Sequence, residues 1–168
     1  MTTRKKNIKV AFFGDSIFLG QGISLYRGWV TQVAKVLEAH SDLGDVDVEV
    51  CNLSVNGRTT RQALEDMPYS IQTQSVSILL IQFGLNDCNY WETDLGVPRV
   101  SLEAYLANIS EMITRAQKCA ISKVIVSNNH PTTRNTNQIP HTDFTFENSN
   151  KVYAEALAEL MTHKHNSA

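Results

Sequence analysis

The stretch Ile8-Lys9-Val10-Ala11-Phe12-Phe13-Gly14-Asp15-Ser16 decides the fold. Ile8, Val10, Ala11, Phe12 and Phe13 make a near-continuous apolar run ending at a glycine, the pattern of a strand covered on both faces of a parallel sheet. Downstream, Trp29, Val30, Val33, Val36 and Leu37 recur at helical spacing as far as His40, and a turn over Ser41 to Gly44 follows. Val46, Val48 and Val50 then alternate with Asp45, Asp47 and Glu49, which predicts a half-exposed second strand at a sheet edge. Thr59 to Met67 predicts a short helix stopped by Pro68, and Val76, Ile78, Leu79, Leu80 and Ile81 predict a central third strand. Leu102, Tyr105, Leu106, Ile109, Met112 and Ile113 share one helical face behind a capping Ser101. Ile121, Val124, Ile125 and Val126 read as a fourth strand. A polar loop from Ser127 to about Thr145 leads to a last helix that buries Val152, Tyr153, Ala156, Leu157, Leu160 and Met161.

Repeated strand-helix alternation predicts an α/β domain, a doubly wound parallel sheet with right-handed crossovers. A chain of 168 residues is the length of one such domain, and it buries roughly 70% of its unfolded surface without staples. Hydrophobic residues at 42% exclude a disordered chain, and charged residues at 19% argue against a long solvated coiled coil. Fifteen basic against seventeen acidic residues give a formal charge of −2, too weak a field to hold nucleic acid or an anionic membrane. Cys51, Cys88 and Cys119 are odd in number and widely spaced, which fits reduced thiols in a cytoplasmic protein and matches no zinc pattern. The basic residues Arg4, Lys5 and Lys6 precede an apolar stretch too short for a secretory signal, and no run approaches the length of a membrane span.

In sheets of this kind the loops after the strands share one functional edge. Gly14-Asp15-Ser16 follows the first strand, putting a hydroxyl beside helix-start N–H groups that stabilise negative charge. Asn56-Gly57-Arg58 follows the second, where glycine lets a backbone N–H approach a ligand. Gly84-Leu85-Asn86-Asp87 follows the third, with a carboxamide able to donate to a developing oxyanion. Each alone is an ordinary turn or capping sequence. Their common edge brings a nucleophile, a backbone donor and a side-chain donor together.

These blocks, in this order and spacing, resemble the SGNH, or GDSL-type, hydrolase superfamily of esterases, lipases, thioesterases and carbohydrate deacetylases. The similarity extends over essentially the whole chain, including Phe83 before the third block and Asn129-His130-Pro131 after the fourth strand. It implies a flavodoxin-like three-layer α/β/α sandwich. Ser16 is then the nucleophile, and the Ser16 N–H, the Gly57 N–H and the Asn86 side chain form the oxyanion hole. Asp15 and Asp87 orient the surrounding loops. No cofactor and no metal are implied. Gly14 to Gly22 lacks the residues of a P-loop or dinucleotide site, and His141 with Asp143 supplies only two ligands.

The chain also departs from that family. Members carry an Asp-x-x-His block after a fifth strand, and no Asp-x-x-His occurs in this sequence. The domain over 1–168 is therefore expected to lack its C-terminal catalytic segment and last strand, leaving the edge of the fourth strand open to self-association. His40, His163 and His165 end helices at the far edge, so His130, ahead of His141, is the substitute base on the correct side. Cys88 reads as a small packing residue or a redox-sensitive thiol, while Tyr90 and Trp91 read equally as walls of an acyl pocket or as cover for the sheet edge. Two functions stand open. One is a serine hydrolase of a small acyl or acetyl ester; the other is a catalytically silent relative that binds an ester, glycan or protein partner.

Overall fold

The computed structural model describes residues 6–41, 46–134 and 136–166. The chain alternates strand and helix as β1 (Lys6–Gly14), α1 (Ser16–Leu19), α2 (Trp29–Ser41), β2 (Val46–Asn52), α3 (Thr60–Met67), β3 (Ile78–Gln82), α4 (Leu102–Lys118), β4 (Lys123–Ser127) and α5 (Phe146–Asn166). The four strands pair in parallel, in the order β2-β1-β3-β4. The second strand is thus at an edge, as its alternating valines require, and β1 and β3, with their near-continuous apolar runs, are central. Of the turn expected after α2, residues 42–44 lie outside the described residues, as does Asp45.

Strand periodicity sorts the core into two layers. Ala11 and Phe13 of β1 and Leu79 and Ile81 of β3 pack with Ala63 and Met67 of α3, Ile109 and Met112 of α4, and Leu157 of α5. Their neighbours Val10, Phe12, Ile78 and Leu80 face the other way, toward Phe18, Val30, Val33 and Leu37. Helices α1 and α2 therefore cover one face of the sheet, and α3, α4 and α5 cover the other. This is a three-layer α/β/α arrangement. On β4, Val124 and Val126 pack into the larger cluster while Ile125 stays 40% exposed.

The α-helix begun at Thr60 ends at Met67 before Pro68, as expected, but the chain stays coiled, running on through a wider π turn over Pro68–Gln72 with Ile71 buried. Proline's φ suits a helix, and its conflict is with the carbonyl one turn back, which a wider turn relieves. Ser101 caps α4 as expected, accepting from the Ala104 N–H at 3.3 Å.

Candidate active site

Ser16 is the first residue of α1, directly past the carboxyl end of β1. First-turn N–H groups have no helical acceptor, so this short turn presents donors as well as a hydroxyl. Asp15 caps the turn, its Oδ1 accepting from the Ile17 N–H at 2.9 Å. Beneath it, the rings of Phe12, Phe18 and Trp29 meet edge to face at 5.1 to 5.6 Å, and Trp29 Nε1 donates to the Ile17 carbonyl at 3.3 Å. The nucleophile candidate thus stands on a packed aromatic base. Asp15 is fully buried, and burial pushes its carboxyl up to about 6; the Ile17 N–H opposes this and the nearby Asp87 charge adds to it.

Gly57 lies in a turn closed by the Arg58 N–H on the Val55 carbonyl at 3.3 Å. Its φ of +71° is a left-handed conformation natural to glycine, and no neighbouring atom lies within 4 Å of where a Cβ would stand. Asn86 joins this turn to the first loop. Its Nδ2 donates to Asp15 Oδ2 at 3.3 Å and to the Arg58 carbonyl at 3.1 Å. Both amide hydrogens therefore have partners.

Asp87 takes other partners. Its Oδ1 accepts from the Thr60 N–H at 3.0 Å and from Thr60 Oγ1 at 2.5 Å, and Asn108 Nδ2 donates to that hydroxyl at 2.9 Å. Burial raises the Asp87 carboxyl above the ordinary carboxylate range, against the pull of the Thr60 donors. Gly84 starts this loop at φ +137°, and a Cβ there would stand 2.5 Å from the Asn129 amide. Glycine is thus what lets the loops after β3 and β4 approach.

Ser16, Gly57 and Asn86 line a single cleft of about 450 Å³. Cys88 forms part of its wall, and Thr132 to Arg134, Phe146 and Asn150 also line it. The Cys88 thiol is buried, approaches the Leu85 carbonyl at 3.6 Å and is pushed up to about 12 by burial, so it packs rather than reacts. Trp91 and Tyr90 do not line this cleft; each borders a separate hollow.

The histidines are placed less usefully. His130 is on the expected loop but exposed, with Nδ1 at 2.6 Å from the Pro131 carbonyl, and it does not line the cleft. His141 pairs with Glu92 at 3.0 Å. His40 is tied to the Val36 carbonyl at 2.7 Å, and His163 is near the end of α5. The His165 side chain lies outside the described residues. Among those described, no histidine lines the cleft with Ser16.

Reading the sequence missed Arg99, Thr60 and Asn108. Each acts through a contact between elements distant in the chain, and none carries a local pattern.

Residues 12–167 match the GDSL-like Lipase/Acylhydrolase family. The chain belongs to that family. An arylesterase of Vibrio mimicus is 26% identical over 106 residues, a stretch covering 63% of this chain and 47% of the arylesterase, so the match spans about half the length of that relative. Among solved structures, TesA superposes with a TM-score of 0.69 at 18% identity, covering 94% of this chain and 74% of TesA. A catalytic mutant of an acetylxylan esterase from Geobacillus stearothermophilus gives a TM-score of 0.71 at 16% identity, over 97% of this chain and 76% of the other. At such identities these structures speak for the fold. No helix among the described residues is long and apolar enough to cross a membrane.

Proposed function

We propose that this member of the family is a serine esterase acting on a small acyl or acetyl ester through an acyl-enzyme on Ser16. One observation carries the reading: Ser16, Gly57 and Asn86, from three loops at the carboxyl edge of the sheet, line the same cleft. In the proposed cycle Ser16 Oγ attacks the ester carbonyl and its proton passes to a histidine base. The Ser16 N–H, the Gly57 N–H and Asn86 Nδ2 receive the oxyanion. The base returns the proton to the leaving alcohol, and water then releases the acyl group by the same route. Asp15 and Asp87 hold the loops. The substrate is a small-molecule ester, with no part for nucleic acid. Three free thiols suit a cytoplasmic setting.

The base is not among the described side chains of the cleft, and a serine without one is a poor nucleophile at neutral pH. We therefore propose that Ser16 turnover needs a histidine delivered by a segment additional to the 168 residues, in which an Asp-x-x-His would hold it. The 168 residues alone should be nearly inactive on a short-chain activated ester, and supplying such a segment should restore turnover. In the active form, Ser16→Ala should abolish hydrolysis, and Asn86→Ala should lower kcat by about 100–1,000-fold. Robust Ser16-dependent turnover by the 168 residues alone would refute the need for an added base, and His130→Ala would then test the loop histidine. Full activity without the Ser16 hydroxyl would refute the mechanism. A silent, binding-only relative is the reading left if the histidine is supplied and hydrolysis still does not appear.

A further inference from the structure

Arg99 is not among the residues that line the cleft, yet its side chain reaches two that do. It lies just before α4, its N–H donating to the Asn89 carbonyl at 2.9 Å. The guanidinium lies over the Trp91 ring, 4.5 Å from the centroid, which supports it from behind. From there Nη2 donates to the Gly57 carbonyl at 3.1 Å and Nη1 approaches Asn86 Oδ1 at 3.5 Å. Among the described residues no carboxylate forms an ion pair with Arg99, although its charge acts on Asp87 from a distance, and its side-chain hydrogen bonds go to neutral oxygens of the two loops.

A guanidinium only donates and stays charged, which fixes the end of the carboxamide that faces it. With Oδ1 toward Arg99, the Nδ2 end meets two acceptors, Asp15 Oδ2 and the Arg58 carbonyl. A flipped amide would set its NH2 against the guanidinium and its oxygen against a carboxyl and a carbonyl. Drawing electron density toward Oδ1 also makes the Nδ2 hydrogens better donors. The other arm of the fork pins the Gly57 carbonyl, and with it the turn that aims the Gly57 N–H.

We propose that Arg99 is a positioning residue for the oxyanion hole, locking the Asn86 carboxamide and the Gly57 turn into one donor set. This rests on the assignment of Asn86 and Gly57 as oxyanion donors. It explains why the cation stacks on Trp91 rather than extending into solvent: the ring holds the fork at the distance where it spans both loops.

The decisive measurement needs no turnover. In isotopically labelled protein, the two Asn86 Nδ2 protons should resonate away from the positions of a free carboxamide and exchange slowly with water, as expected for an amide held at both ends. Arg99→Ala should move them toward the shifts and exchange of a free carboxamide, Arg99→Lys should fall between, and the backbone spectrum should be kept. If Arg99→Ala does not fold, Arg99→Gln, which keeps a planar donor without the charge, gives the same readout. Asn86 signals unchanged in a folded variant would overturn the proposal. In an active form of the enzyme, Arg99→Ala should lower kcat about tenfold with KM within about twofold, and should cost distinctly less in an Asn86→Ala background, where only the Gly57 arm is left to lose. Equal losses in both backgrounds would also overturn it. If Asn86→Ala alone cost nothing, the oxyanion assignment would fail instead, and the Asn86 resonances would still judge Arg99.

Discussion

Asp15 holds Ser16 in place while buried out of water, and those two conditions pull its proton in opposite directions. The Ile17 N–H favours the charged form, but burial dominates and lifts the carboxyl from its ordinary 3.8 to about 6. A folded state that binds its proton more tightly than the unfolded chain is most stable below the unfolded pKa, and it loses that contribution as pH rises through the folded one. Stability should therefore fall between about pH 4 and pH 6 and level off above. A shift of this size corresponds to roughly 3 kcal/mol across the window. Asp15→Asn retains an oxygen for the Ile17 cap but cannot titrate, so urea midpoints measured across that range should change less with pH than in the native protein. Asp87, shifted the same way, leaves a residual slope. An undiminished slope in the variant would mean that Asp15 titrates at its ordinary value.

At the level of elements, a chain of hydrogen bonds from Asn108 of α4 through Thr60 of α3 to Asp87 ties two helices to the loop that carries Asn86. Thr60→Val keeps the shape but removes the hydroxyl, leaving a buried carboxyl short of a donor and the Asn108 amide without its acceptor. The expected loss is about 1–3 kcal/mol by urea unfolding. No loss would show that water replaces the hydroxyl at no cost. Ser101→Ala, which removes the cap of α4, should cost about 1 kcal/mol. These two sites differ in how far the sequence reveals them. Ser101 is legible because a cap acts within one turn of itself, and the strands are legible because alternation at Val46, Val48 and Val50, or its absence at Val10 to Phe13, reports burial directly. The glycines and Asn86 show themselves as turn residues that follow strands. The Thr60 to Asp87 bond spans 27 positions and the Arg99 to Gly57 bond 42, and a contact closed only by tertiary packing leaves no periodic trace.

For the whole molecule, what matters is that the sheet's two edges are not equivalent. Edge β2 alternates valine with exposed acidic and polar positions, which discourages further pairing. Edge β4 pairs only with β3, and no strand among the described residues lies on its other side. Ile125 on this strand is 40% exposed, on the sheet face whose helices α1 and α2 stand over the β1 and β2 side. An unpaired row of backbone groups beside uncovered apolar surface is a template for another strand. We therefore propose that the 168 residues alone self-associate through β4, or take up a strand from another segment there. Light scattering over a range of concentrations should show association by the native sequence, and Ile125→Lys, which places a charge on the uncovered face at a partly exposed position, should return it toward the monomer without loss of helical circular dichroism. Hydrogen exchange offers an independent check: β4 amides should be protected in the associated form and fast in the Ile125→Lys monomer. A native chain that stays monomeric at high concentration, with β4 amides already exchanging slowly, would show that the edge is stable without a partner.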